Sequence, residues 1–183
     1  MSETQLTKKI KILVGDYFQQ KRGCAVFYET SSIGGSIADI TASKINHKDV
    51  STIYEIEVKI SRADFKNELK KKYPKHYHLA NDDYETLPKW MGRFAPNYFY
   101  FAVPKYLSEF ALKELEKFPA GGKYGMIILA ENNKISIIKN CKRLNNCQMD
   151  KMRLYYLSRS MSFKQHKSQT EKYNIEYGEN VHG

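Results

Sequence analysis

Two acids and a lysine recur at every second position of one short, otherwise apolar segment of this sequence. The segment is Thr52–Ile60, and the three residues are Glu55, Glu57 and Lys59. Side chains alternate between the two faces of a β-strand, so as a strand this segment presents the three charged groups on one face. Neighbouring carboxylates can hold a divalent cation, and a lysine beside them can orient a water molecule or stabilise negative charge on a phosphate group.

A further acid reaches the same face from the strand that precedes this segment. Ile37–Ser43 is predicted to form that strand and to pair with Thr52–Ile60 through a polar loop. The resulting register places Asp39 opposite Glu57, where cross-strand Cβ atoms lie about 4.5–5.5 Å apart. A slip of one residue would turn the two carboxylates to opposite faces, so the parity of the pattern favours this register.

A third acid comes from the first predicted strand, Cys24–Glu29, which a turn at Gly34-Gly35 connects to the second. The hairpin then places Glu29 opposite Asp39. Two carboxylates about 4 Å apart repel by about 4 kcal/mol at an effective dielectric constant of about 20, and a cation between them would remove that repulsion. Carboxylate oxygens suit Mg²⁺ or Mn²⁺ better than zinc, which prefers nitrogen and sulfur. The alternative is a solvated strand face on which Lys59 simply pairs with a nearby acid.

The helix predicted over Ser61–Tyr73 carries an unusual excess of positive charge. Ser61 is expected to cap it, and Pro74 to end or kink it. Arg62, Lys66 and Lys70 are spaced four residues apart and so form one row on its surface. Such a row would suit a phosphate backbone lying across it; the alternative is an ordinary soluble lysine face. Further candidate DNA contacts follow in the sequence, namely Lys71, Lys75 and His76.

The composition agrees with a nucleic-acid partner. The 183 residues carry a formal net charge of +10, and 42% of them are hydrophobic, which indicates a globular chain. Three cysteines, an odd number without a trusted zinc spacing, are interpreted as reduced thiols. The N-terminus has no apolar signal core, and no apolar run approaches the roughly 20 residues of a spanning helix, so a cytoplasmic protein without a membrane partner is expected.

The remaining segments complete a mixed α/β domain around one sheet. The predicted element order is α-β-β-β-α-β followed by α-β-β-α. We predict a single domain over residues 1–166, with a core at 5–107, an extension at 108–166, and a polar tail at 167–183. The further predicted elements are a helix over Gln5–Gln20, a strand over Tyr98–Val103, a helix over Ser108–Phe118, a hairpin of Tyr124–Ala130 and Ile135–Lys139, and a helix over Met149–Phe163. Ser2 and Gln5 could form a capping box at the start of the first helix.

Asp39, seventeen further residues and then Glu57-Val58-Lys59 resemble the signature of the PD-(D/E)xK nuclease superfamily. The predicted α-β-β-β-α-β order is similar to that family's restriction-endonuclease-like core. More narrowly, the stretches ADI, YEIEVKISRADF and PNYFYFAVP resemble MmcB-like DNA-repair proteins and related phage proteins. The resemblance covers roughly the first 107 residues.

The resemblance implies a DNA nuclease that hydrolyses phosphodiester bonds with Mg²⁺ or Mn²⁺, in repair, recombination or phage DNA processing. Asp39 and Glu57 would bind the metal together with the Val58 carbonyl, and Lys59 would be the catalytic lysine. Glu29 matches the acid that precedes the glycine turn. Two alternatives stay open, a basic DNA-binding module without turnover and an RNA-binding protein. A homodimer is also open, since many nucleases of this type act as dimers.

The chain departs from the family pattern at two places. Ala38 stands where the superfamily has its name-giving proline, which is a common change. The first helix offers Asp16 as its nearest acid, so Glu29 is expected to take the role of that acid.

Overall fold

The computed structural model of this chain describes residues 4–32, 36–45, 51–71, 73–81, 95–118 and 120–146, and positions 153, 155–159, 161, 162, 164 and 168. It divides the chain into two compact units, residues 1–149 and 150–183. In the second unit the described positions are helical, within the predicted last helix and just after it. The predicted boundary at residue 166 stays a prediction.

The first helix, α1 (Gln5–Asp16), lies where its apolar periodicity predicts it. Thr4 caps it by accepting a hydrogen bond from the Thr7 N–H at 3.2 Å, whereas the expected cap, Ser2, lies outside the described residues. The helix continues as a π-helical turn over Tyr17–Lys21. Its apolar stripe is anchored because Ile10 and Val14 are fully buried.

Six strands form one sheet, as predicted, and they are neighbours in chain order. They are β1 (Ala25–Ser31), β2 (Ile37–Ile45), β3 (Ser51–Val58), β4 (Tyr98–Pro104), β5 (Gly125–Leu129) and β6 (Ile135–Lys139). The pairs β1–β2, β2–β3 and β5–β6 are antiparallel, whereas β3–β4 and β4–β5 are parallel. The predicted extension therefore supplies two strands to the same sheet.

Helices cover both faces of this sheet, so each face has its own apolar core. On one face α1 packs against Ile56 and Val58 of β3 and their neighbours. On the other lie α2 (Arg62–Lys71), α3 (Tyr73–Asn81) and α4 (Ser108–Glu116), with Phe65, Phe99 and Phe101 in the core. Glu55 and Glu57 alternate with Ile56 and Val58, so they point toward the second core.

The helix predicted over Ser61–Tyr73 is two helices. Ser61 caps α2, as predicted, by accepting a hydrogen bond from the Asp64 N–H at 3.1 Å. Pro74 was expected to end or kink this helix; it lies in the first turn of α3, where a missing backbone N–H costs nothing. The sequence pattern does not predict α3, and this matters because α3 carries Lys75 and His76.

None of the helices that the structure describes is long and apolar enough to span a membrane.

Candidate functional site

A cleft of about 510 Å³ opens at the end of β3, where that strand leads into α2. Residues of α1, β2, β3 and α2 line it, including Lys11, Asp39, Lys59 and Asp64. Ligands of open α/β sheets commonly bind outside the carboxyl ends of the strands. The cleft therefore lies where this type of sheet favours a ligand, and Glu29, Asp39 and Lys59 of the sequence pattern line it.

The pairing of β2 with β3 brings the two acids of the pattern to neighbouring positions. Thr41 is paired with Glu55 and Ile40 with Ile56, and one further pair in the same register places Asp39 beside Glu57. The Val58 N–H donates a hydrogen bond to Asp39 Oδ2 at 2.8 Å, which fixes this carboxylate against β3. Asp39 and Glu57 thus lie on the same face of the sheet.

Asp39 is a poorly stabilised carboxylate. Burial and the negative charge of Glu57 raise its pKa above the usual value, although the Val58 N–H and the ammonium groups of Lys59 and Lys11 act in the opposite direction. Lys11 Nζ lies 3.1 Å from Asp39 Oδ1. A carboxyl group in such surroundings would gain from an additional positive charge.

Glu29 stands at an irregular point of β1. The pairs Tyr28–Ile40 and Thr30–Ala38 enclose Glu29 and Asp39, which places the two acids across from each other as predicted. The φ angle of Glu29 is +51°, in the left-handed region that costs a non-glycine residue of the order of 1–3 kcal/mol. Its side chain is 56% exposed, and its Oε1 atom lies 3.5 Å from Lys11 Nζ.

The charged face of β3 is buried, so the alternative interpretation is wrong about solvation, although Lys59 does pair with a nearby acid as that alternative expects. Glu55 and Glu57 are each only 1% exposed. Lys75 Nζ of α3 lies 2.8 Å from Glu57 Oε1 and also pairs with Glu55, which in turn accepts a hydrogen bond from the Ser32 hydroxyl. We call Glu55, Glu57, Lys59, Glu68 and Lys75 the buried charge cluster.

Lys59 is held inside this cluster by two carboxylates. Its Nζ atom lies 2.9 Å from Glu68 Oε2 of α2 and 3.4 Å from Glu57 Oε2. Burial alone would lower the pKa of Lys59, but the charges of Glu57, Glu68 and Asp39 outweigh burial and raise it. Lys59 therefore stays protonated at neutral pH, which suits a residue that stabilises negative charge and does not suit a general base.

The expectation that Lys75 and His76 lie on the DNA-facing surface needs correction. Lys75 is 2% exposed and His76 is fully buried. His76 Nδ1 lies 2.8 Å from the Tyr124 hydroxyl, and its Nε2 lies 3.6 Å from Glu68 Oε1. Burial lowers the pKa of His76, so the ring is neutral near pH 7. The sequence showed the charges of these residues but not α3, which turns them inward.

The basic row on α2 is exposed as predicted, but it does not line the cleft. Arg62 and Lys66 lie over the ring of Phe110 in α4, at 5.1 Å and 5.6 Å from its centroid. The residues that α2 contributes to the cleft are Asp64 and Asn67, on another side of the helix. DNA contact by Arg62, Lys66 and Lys70 stays a prediction; the side chain of Lys71 lies outside the described residues.

The donor chemistry of the site fits a hard divalent cation in part. Asp39 and Glu57 supply carboxylate oxygens from adjacent strands, and Mg²⁺ is usually held by one or two carboxylates, with waters and substrate phosphates as further ligands. Among the described residues, however, no three acidic, histidine or cysteine side chains converge into a ready-made metal cage. The metal-ligand roles of Asp39, Glu57, Glu29 and the Val58 carbonyl all stay predictions, and so does the catalytic role of Lys59.

Two residues of this site, Lys11 and Glu68, were not predicted from the sequence. Lys11 follows Ile10 on α1 and precedes the buried Val14 by three positions, so it lies at the border of the apolar stripe. Glu68 comes directly before the buried Leu69 on α2, so it also lies at the border of an apolar stripe. A charged residue at the edge of an apolar stripe is the signal that could have found both.

No family model matches this chain, and no curated protein does. Among solved structures, the SPO1766 protein of unknown function from Silicibacter pomeroyi matches with a TM-score of 0.55 and 18% identity, over 100% of this chain and 98% of that one. This likeness shows the fold, a mixed six-stranded sheet flanked by helices, consistent with a restriction-endonuclease-like fold.

Two other solved structures match over 71% of this chain. An XisH family protein from Nostoc punctiforme has a TM-score of 0.39, 17% identity and 99% of its own chain covered. An fdxN element excision controlling factor protein from Anabaena variabilis has a TM-score of 0.34, 16% identity and 98% of its chain covered.

Proposed function

We propose that this protein is a metal-dependent DNA nuclease of the PD-(D/E)xK type, related to the MmcB-like group. The observation that carries the proposal is that Asp39 and Lys59 line the cleft that ends β3, with the buried carboxylate of Glu57 directly beside both. Spacing of this kind could arise by chance in the sequence. The contact of the three groups next to a cleft supports a shared chemical role.

Asp39 and Glu57 would hold Mg²⁺ or Mn²⁺ at the mouth of the cleft. The ion would supply acidity to the attacking water and stabilise charge on the phosphate. Lys59, kept protonated by its neighbours, would donate hydrogen bonds to a phosphate oxygen as negative charge develops there. Glu68 would act as a positioning residue, because it holds the Lys59 ammonium from the side of α2.

The predicted DNA partner has support from charge alone. The chain carries ten more positive than negative charges, and an exposed basic row lies on α2. Because this row faces away from the cleft, it would hold a flanking part of the DNA while the scissile phosphate enters the cleft.

A DNA-binding module without turnover is the second candidate, and a specific observation favours it. Lysines already contact both carboxylates, since Lys11 pairs with Asp39 while Lys59 and Lys75 pair with Glu57. Ammonium groups in these places could replace a metal ion and leave the fold able to bind but not to cut.

Incubation with linear, branched and single-stranded DNA separates the two candidates. Each substrate is tested with Mn²⁺, Mg²⁺ or EDTA, for the wild type, Asp39→Asn and Lys59→Ala. Glu109→Gln and Lys113→Ala, which remove matching charges from the exposed side of α4, are the controls. Metal-dependent cutting that only the site variants abolish supports the nuclease. Binding without cutting under every condition overturns it in favour of the module, and cutting that survives in Asp39→Asn indicates a contaminant.

A further inference from the structure

The ammonium group of Lys11 occupies the space between two acids of the candidate metal site. Its Nζ atom lies 3.1 Å from Asp39 Oδ1 and 3.5 Å from Glu29 Oε1. Lys11 is itself buried, although lysines rarely are. The side chain therefore serves this site rather than the solvent.

The backbone around Lys11 is fixed, whereas its side chain is free to choose between positions in the cleft. Ile10 and Val14, on either side of it in α1, are fully buried in the core beneath β2, β3 and β4. Packing thus fixes the helix, and the flexible stem of four methylene groups determines how far the ammonium group can reach. The ammonium group can therefore contact Asp39, or leave it and stay within the cleft that Lys11 lines.

The backbone conformation of Glu29 indicates that the fold favours its contact with Lys11. Its left-handed backbone conformation is strained, and strain of this kind persists where the surrounding structure requires it. At this point of β1 the strain coincides with a carboxylate placed next to Lys11. An exposed acid would otherwise have no need of an unfavourable φ angle.

Electrostatics connects Lys11 to the ability of Asp39 to bind a cation. Lys11 Nζ lies at ion-pair distance from Asp39 Oδ1, so it stabilises the same negative charge that a metal ion would stabilise. A divalent ion coordinates carboxylate oxygens at about 2.0–2.6 Å. An ammonium group 3.1 Å from Oδ1 would repel an ion at that position and would hold the oxygen that the ion needs.

We propose that Lys11 is a built-in counter-cation of this site, and that its ammonium group and a divalent metal ion exclude each other from Asp39. The inference rests on the proposed function only in placing a metal site at Asp39. When a metal ion binds, the Lys11 ammonium group leaves Asp39. It stays within the cleft that Lys11 lines, where it would pair with a phosphate group. Metal affinity is thereby low in the resting protein.

A Mn²⁺ titration tests this exclusion, with free Mn²⁺ measured by electron paramagnetic resonance. The proteins are the wild type, Lys11→Met, Lys9→Met, and Lys11→Met combined with Asp39→Asn. Lys9→Met removes the same charge from an exposed position of the same helix. We expect Lys11→Met to bind Mn²⁺ about tenfold or more tightly than Lys9→Met, within the usual range of coupling between two ligands, and the double variant to lose this gain. Equal or weaker binding by Lys11→Met overturns the proposal.

A measurement on the wild type keeps the proposal falsifiable should Lys11→Met fold poorly. The ¹³Cε signals of labelled lysines are followed while Mg²⁺ is added to saturation. The Lys11 signal should shift as the ammonium group leaves Asp39, whereas the Lys9 signal should not. An unmoved Lys11 signal with bound Mg²⁺ contradicts the exclusion.

The nuclease assay separates failure of this inference from failure of the proposed function. If the wild type cuts DNA but Lys11→Met gains no Mn²⁺ affinity, the inference is wrong and the nuclease stands. If Lys11→Met gains affinity through Asp39 but neither protein cuts, the inference stands and the nuclease is wrong.

Discussion

Lys75 of α3 contacts Glu57 of β3, with its Nζ atom 2.8 Å from Glu57 Oε1, and both side chains are buried between the helix and the sheet. The pair belongs to the buried charge cluster, in which two lysines lie among three acids. Opposite charges that are buried together depend on each other, because removing one leaves the other uncompensated at low dielectric. The candidate catalytic strand is therefore supported from behind by a helix that sequence periodicity did not reveal.

Replacing Lys75 with methionine should destabilise the protein strongly. The substitution leaves Glu55 and Glu57 buried without their shared ammonium partner, a loss of roughly 3–5 kcal/mol in the free energy of unfolding. Lys70→Met, at an exposed position of α2, is the control and should change stability by about 0.5 kcal/mol or less. Urea denaturation measures both. Equal midpoints for the two variants would show that Lys75 does not support the strand.

Asp39→Asn should be more stable than the wild type at neutral pH. The pKa of Asp39 is raised in the folded state, so the folded protein holds this proton more tightly than the unfolded chain does. The free energy of unfolding therefore falls as pH rises from the usual aspartate pKa of about 3.9 to the raised pKa of the folded state, because Asp39 becomes charged over this range. Thermal unfolding between acidic and neutral pH should show a gain of a few degrees for Asp39→Asn above that window and none below it. A variant that is less stable throughout would contradict the direction of this shift.

Glu68→Gln should loosen the hold on Lys59. Removing the charge 2.9 Å from Nζ removes one of the interactions that raise the pKa of Lys59 against burial. The ammonium protons should exchange faster with water, as measured by NMR on protein with ¹⁵N-labelled lysine. Glu109→Gln, on the exposed side of α4, should leave the exchange unchanged. An unaltered Lys59 rate in Glu68→Gln would remove Glu68 from the positioning role.

His76 should make the protein sensitive to mild acid. Burial lowers its pKa, while Glu68 raises it and Lys75 lowers it further. The unfolded chain therefore takes up a proton first as pH falls below about 6.5, and stability is lost from there down through the lowered pKa. His76→Gln should show a smaller loss of stability over this window in urea denaturation, and His78→Gln, at a half-buried position of α3, serves as the control. If His76→Gln loses as much stability as the wild type over this pH range, a titrating group other than His76 causes the acid sensitivity.

Much of the sheet could be predicted because strand patterns are local. The alternation in Thr52–Ile60 indicated which face of β3 is apolar, and parity then restricted the register that places Thr41 opposite Glu55. The three antiparallel pairs followed from the same short-range signals. These features depend on neighbours in sequence or across a single hairpin, whereas the parallel pairs β3–β4 and β4–β5 join strands that helices separate in the chain.

The rest of the site depends on packing that one segment does not encode. A row of lysines gives the same pattern whether it faces solvent or carboxylates, so the inward turn of Lys75 required knowledge of α3. Lys11 reaches Asp39 from α1, which the whole of β1 separates from Asp39 in the chain, and no local period connects the two residues. Burial of the charged face of β3 likewise depends on helices that close over it.

The central claim is that a divalent ion binds where β2 and β3 bring Asp39 and Glu57 together. The most direct measurement is an anomalous difference map from a crystal of the protein soaked with Mn²⁺. The account predicts a peak within coordination distance of the carboxylates of Asp39 and Glu57, absent in Asp39→Asn. Bound Mn²⁺ elsewhere, with no peak between these two residues, would contradict it.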